Sequence, residues 1–93
     1  MKILAIEAKL YAPWVQSLKE KRMIVKSITS KLRNKFQVSV AEIDTQDIHK
    51  TITIGIAAIV PNNQQADRME EQIITYLEEN TEAEIVQIYS EIR

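Results

Sequence analysis

The sequence predicts an α+β fold of order βαββαβ, a four-stranded antiparallel sheet with two helices on one face. Three observations predict it. Four stretches alternate apolar and polar residues with the period of a strand, two repeat apolar residues at helical spacing, and the two kinds interleave in that order. Ninety-three residues are enough for one such unit and too few for two, so residues 1–93 are read as a single domain.

The first strand runs from Lys2 to Tyr11, with Leu4, Ile6, Ala8 and Leu10 on one side and Glu7, Lys9 and Tyr11 on the other. Pro13 closes it, and Trp14 is read as packing at the junction with the following helix. That helix begins at Ser17, because Ser17 with Glu20 three residues on is a capping box, in which hydroxyl and carboxylate each satisfy a free backbone N–H. Leu18, Val25, Ile28, Leu32 and Phe36 form its buried stripe. Gln37 to Ile43 reads as a second strand. The loop Asp44 to Lys50 leads to a third, Thr51 to Val60, in which Ile52, Ile54, Ile56 and Ala58 alternate against Thr51, Thr53, Gly55 and Ala57. Pro61, Asn62 and Asn63 make a turn and a cap, and Ala66, Met69, Ile73, Tyr76 and Leu77 mark the apolar side of a second helix. The last strand, Glu84 to Ile92, is expected to set Val86, Ile88 and Ile92 against Ile85, Gln87 and Tyr89.

Two right-handed split βαβ units of this kind make the ferredoxin-like arrangement, which leaves one sheet face uncovered. Alternation assigns to that face Ile3, Ala5, Glu7, Lys9, Tyr11, Thr53, Gly55, Ala57, Ile85, Gln87 and Tyr89. Its apolar members, Ile3, Ala5, Tyr11, Gly55, Ala57, Ile85 and Tyr89, are a candidate protein interface or homodimer surface.

Composition narrows the class further. Apolar residues make up 45% and charged residues 27%, with one Gly and two Pro, which is the balance of a folded domain rather than a disordered chain. Cysteine is absent, which excludes disulfide and thiol chemistry. Neither a signal peptide nor a membrane span is read, since the longest apolar run is Ile54 to Val60, and a cytoplasmic location is expected.

Charge is distributed unevenly. Seven of the twelve Lys and Arg residues fall between Ser17 and Lys35, accompanied by a single acid, Glu20, in a chain of net charge −1. Around the first helix, Lys19, Arg22, Lys26 and Arg33 share a narrow sector beside the apolar stripe, Lys21 lies near the helix start, and Lys31 and Lys35 sit on the other flank. Cations in the first turns oppose the helix dipole, and such a local inconsistency points to a binding surface. Lys19, Lys21, Arg22, Lys26 and Arg33 are therefore the candidate RNA- or anion-binding residues. The second half of the chain is acidic, with Asp67, Glu70, Glu71, Glu78, Glu79, Glu82, Glu84 and Glu91 against Arg68 and Arg93, which would turn the basic helix toward a phosphate backbone.

No catalytic set emerges. Asp44, Asp47 and His49 share a loop but lack the further His or Cys that a metal site requires, and turn capping explains the two carboxylates better than acid–base work. Ser17 is spoken for as a cap, and His49 has no nucleophile beside it. No metal, cofactor or enzymatic activity is expected.

Three motifs carry a family resemblance. Ser17-Leu18-Lys19-Glu20-Lys21-Arg22, Phe36-Gln37-Val38-Ser39-Val40-Ala41-Glu42 and Asp44-Thr45-Gln46-Asp47 resemble, in order and separation, the S-L-K-E-K-R, F-N-V-S-x-A-E and D-x-Q-D pattern of the small bacterial YlxP-like family. The resemblance implies a ferredoxin-like fold and a genomic and naming association with ribosome maturation, such proteins often being labelled ribosome-binding-factor-like; it implies neither enzymatic activity nor cofactor. Departures are Gln37 for the usual Asn, Val15 for a frequent Ser, and His49 near a position often held by an aromatic.

Several modes of RNA recognition known on this fold are not expected here. Thr53, Gly55 and Ala57 on the third strand cannot stack bases as an RRM does, and one Gly cannot make the GXXG loop of a KH domain. The arginine-bearing phosphate loop of an acylphosphatase has no counterpart before the first helix. The leading expectation is a non-enzymatic accessory protein that contacts structured, plausibly ribosomal, RNA through phosphates along the first helix. The alternative is a protein-interaction module or homodimer built on the uncovered sheet face.

Overall fold

A computed structural model describes residues 1–93. Strand β1 (Lys2–Tyr11) is followed by helix α1 (Leu18–Lys35), strands β2 (Ser39–Glu42) and β3 (Thr51–Val60), helix α2 (Asn63–Asn80) and strand β4 (Glu84–Ile92). The sheet order is β2-β3-β1-β4, and each neighbouring pair is antiparallel. This is the ferredoxin-like topology, with β1 and β3 central and both helices on one face.

The core lies between sheet and helices, where alternation puts it. Leu4, Ile6, Ala8 and Leu10 of β1 and Ile52, Ile54, Ile56, Ala58 and Val60 of β3 are buried, and Ile28, Leu32, Ala66, Ile73 and Leu77 close over them from the helices. At about 25 cal/mol per Å² of apolar surface removed from water, this layer supplies the main stabilising term. Phe36 and Tyr76 meet edge to face, ring centres 5.6 Å apart, and pin the end of α1 to α2.

Both helix starts are capped by side chains. Ser17 Oγ accepts the backbone N–H of Glu20 at 3.1 Å, and Asn62 Oδ1 accepts that of Gln65 at 2.9 Å. The Glu20 carboxylate reaches back to the N–H of Gln16, at 3.4 Å, one residue earlier than a strict capping box would place it.

Three expectations need correction. β2 is shorter than Gln37–Ile43 and comprises Ser39–Glu42, because Asp44 adopts φ 60° and turns the chain out of the ladder. Thr45 N–H donates to the Ile43 carbonyl at 2.6 Å across that residue, as in a γ-turn. Secondly, β4 does not alternate throughout. Lys9 pairs with Gln87 but Leu10 pairs with Ile85, so Val86 is the extra residue of a β-bulge. Ile85 is thereby moved off the uncovered face and packs against the core, while Val86, expected inside, is 49% exposed. Thirdly, the strand–helix junction is filled by Ala12 and Val15, and Trp14 stays 43% exposed in a cleft lined also by Ile24 and Ile28.

Candidate functional site

Helix α1 carries seven cations and one acid, and α2 beside it carries five acids and one arginine. The structure sorts the α1 cations by what each side chain touches.

Lys21 is not on the surface. It is 1% exposed, and its Nζ lies 2.7 Å from Oε2 of Glu42, itself 14% exposed. The same ammonium donates to the carbonyls of Thr45 and Ile48. Two hydrogen bonds to carbonyls and a carboxylate in ion-pair contact are what allow the charge to be buried. Lys21 is thus removed from the candidate anion-binding set: its charge is already neutralised, and its role is to hold the Asp44–Lys50 loop and the end of β2 against α1. A signal for this was present in the sequence, because 18, 21, 25, 28 and 32 form an unbroken three-four spacing whose second position is Lys21.

Arg33 is exposed but engaged. Its Nη2 donates at 2.9 Å to the carbonyl of Val40 on the outer edge of β2. Gln46 Nε2 reaches the neighbouring outer carbonyl of Glu42 at 3.5 Å, so this short edge strand is shielded from pairing with another chain. Lys31, on the opposite flank, donates at 3.2 Å to the Asn80 carbonyl at the end of α2, where a cation suits the helix dipole.

Lys19, Arg22 and Lys26 remain. All three are exposed on the flank of α1 that faces β2, and none has a carboxylate within ion-pair distance, since the ion pairs of the molecule are Lys21–Glu42 and Arg93–Glu91. Met23, between them in sequence, is 67% exposed.

The uncovered sheet face has a different character. Ala5, Gly55 and Ala57 floor a shallow trough of about 620 Å³, walled by Ile43 and Tyr89. A Cβ on Gly55 would lie 3.3 Å from the Ile43 side chain, so Ile43 leans over the glycine. Glu7 and Lys9 stand in the middle of the face, exposed and unpaired. Tyr11 is 40% and Tyr89 56% exposed. Ile3 and Ile59, paired across β1 and β3, are exposed at one end.

Asp44, Asp47 and His49 do not converge, and no group of three or more His, Asp or Glu side chains is placed to hold a metal. No helix is long and apolar enough to cross a membrane.

The fold and the three linked motifs agree with a comparison of the whole sequence. The family model described as "Protein of unknown function (DUF503)" matches residues 3–90. The chain belongs to this family. A DUF503 chain is similar to the uncharacterized protein YlxP of Bacillus subtilis (strain 168), with 35% identity over 68 residues, 73% of this chain and 74% of that protein. The three motifs that carried the resemblance meet in space. Lys21 comes from the first, Glu42 ends the second and Thr45 lies in the third, so in this DUF503 chain the motifs build the buried strut, while Lys19 and Arg22 of the first also begin the exposed ridge.

Proposed function

We propose that this DUF503 chain is a non-enzymatic accessory protein that docks on structured RNA through Lys19, Arg22 and Lys26, with Arg33 at the end of the ridge. One observation carries the reading: three cations on one helix flank have no acidic neighbour to neutralise them, in a molecule whose other helix is acidic. Unneutralised side chains can exchange counterions for phosphates without first breaking an ion pair. The acidic second helix repels a phosphate backbone, so α1 approaches first. Contacts of this kind read the shape and spacing of phosphates rather than base edges. The genomic and naming association with ribosome maturation that the YlxP-like resemblance implies makes ribosomal RNA the first to test.

The test is filter binding of the native chain to ribosomal subunits and to a structured ribosomal RNA fragment at several salt concentrations. Binding at low salt that weakens as salt rises, and that falls when Lys19, Arg22 and Lys26 are changed together to Glu, supports the proposal. No binding at low salt, or affinity indifferent to the triple change, overturns it.

A further inference from the structure

We infer that the uncovered sheet face is a homodimer surface, closed by a second copy of this chain packed face to face and antiparallel, with Glu7 of each copy against Lys9 of the other. The inference does not rest on the RNA reading, because this face lies opposite the helices.

The first argument is charge. Glu7 and Lys9 are two residues apart on the central strand β1, on the same face, both exposed and both without an ion-pair partner. A two-fold axis perpendicular to β1 and passing between them lays each acid over the other copy's base, which is the self-complementarity a two-fold interface needs. The pair would set register more than affinity, since a desolvated ion pair gains little net energy.

The second argument is shape. The same axis that matches Glu7 with Lys9 carries Tyr11 over Ala5. Ala5 belongs to the floor of the 620 Å³ trough, whose other floor residues are Gly55 and Ala57. Each copy therefore presents a protruding, 40% exposed tyrosine where its twin has a depression floored by small side chains. Small residues also let two sheets approach to the ordinary packing distance of about 10 Å.

The area is that of a weak dimer. Strands of 10, 10, 9 and 4 residues, at about 3.3 Å per residue and about 4.8 Å apart, give a face of about 500 Å² per copy. Two copies bury about 1,000 Å², the size of weak, reversible complexes, so association is expected only at raised concentration.

Sedimentation of the native chain from about 1 to about 500 µM reads this equilibrium. The expected result is a concentration-dependent dimer. Ala57→Arg, on an exposed position in the middle of the face, is expected to weaken it at least tenfold, and Glu7→Lys alone to do the same by opposing like charges. Combining Glu7→Lys with Lys9→Glu restores the charge match and is expected to return affinity to within about threefold of native. Circular dichroism melts confirm that each variant is folded. A chain that stays monomeric across the range, an Ala57→Arg variant that still dimerises, or a double exchange that fails to restore association overturns the inference.

Discussion

Lys21 Nζ and Glu42 Oε2 lie 2.7 Å apart in the interior, joining α1 to the end of β2. The two residues are 21 positions apart in sequence, and the carbonyls of Thr45 and Ile48 complete the ammonium's shell. One side chain thus organises α1, β2 and the loop between β2 and β3. The arrangement is costly to break, because the buried Glu42 Oε2 has no other donor in place to replace Lys21.

Lys21→Met is therefore expected to destabilise the fold by about 3–5 kcal/mol, the usual result of removing one partner from a buried pair. Glu42→Gln keeps an acceptor and should cost less. The double change should cost less than the sum of the two single changes, since neither charge is then stranded. Urea unfolding measures all three. A loss below about 1 kcal/mol for Lys21→Met contradicts the strut.

The architecture was legible because each long element has an undisturbed period. β1, β3 and β4 span the residues that alternation assigned, and Ser17 and Asn62 cap the helices where their residue types suggested. What was not legible depended on contacts remote in sequence. The three-four spacing marks Lys21 as a member of the buried stripe, but Glu42 and the loop carbonyls that receive its charge are brought to it only by the topology. Ile85 and Val86 exchange faces because of a bulge, and a bulge leaves no signature in the alternation of Gln87, Ile88 and Tyr89 that follows it. Lys19, Arg22, Lys26 and Arg33 all lie exposed on α1, but which of them are free depends on β2 ending within reach of Arg33.

The bulge makes a prediction that reverses the one from alternation. Ile85 packs against the core opposite Leu10, so Ile85→Ala should cost about 1–2 kcal/mol, less than a fully buried isoleucine because Ile85 is only half-buried. Val86→Ala should stay within about 0.5 kcal/mol, as an exposed substitution does. Thermal unfolding of the two variants checks it, and a larger loss for Val86→Ala would place the bulge elsewhere.

The cations of α1 should separate into structural and free groups when each is changed to Ala. Arg33→Ala removes the cover from the Val40 carbonyl, and Lys31→Ala leaves the Asn80 carbonyl at the end of α2 without its donor. Each should cost about 0.5–1.5 kcal/mol, the net value of one hydrogen bond. Lys19→Ala, Arg22→Ala and Lys26→Ala touch no partner and should leave stability within about 0.5 kcal/mol. Arg33→Ala should also increase aggregation on heating, since an uncovered edge strand can pair with another chain. Denaturation curves and light scattering read the two effects, and a uniform response across the five variants would dissolve the distinction.

The free group in turn fixes how RNA affinity should respond to salt. If Lys19, Arg22 and Lys26 each neutralise one phosphate, the logarithm of the binding constant should fall with the logarithm of salt with a slope of about −2 to −3. Changing any one of them to Ala should reduce that slope by about 0.7–0.9, and should do so equally on RNAs of different sequence and similar shape. Lys21→Met behaves differently: its charge faces Glu42 and not solvent, so any variant protein that remains folded should keep the native slope. A slope that drops for Lys21→Met but not for Lys19→Ala would mean that RNA contacts the loop side of α1, and the proposed ridge would be wrong.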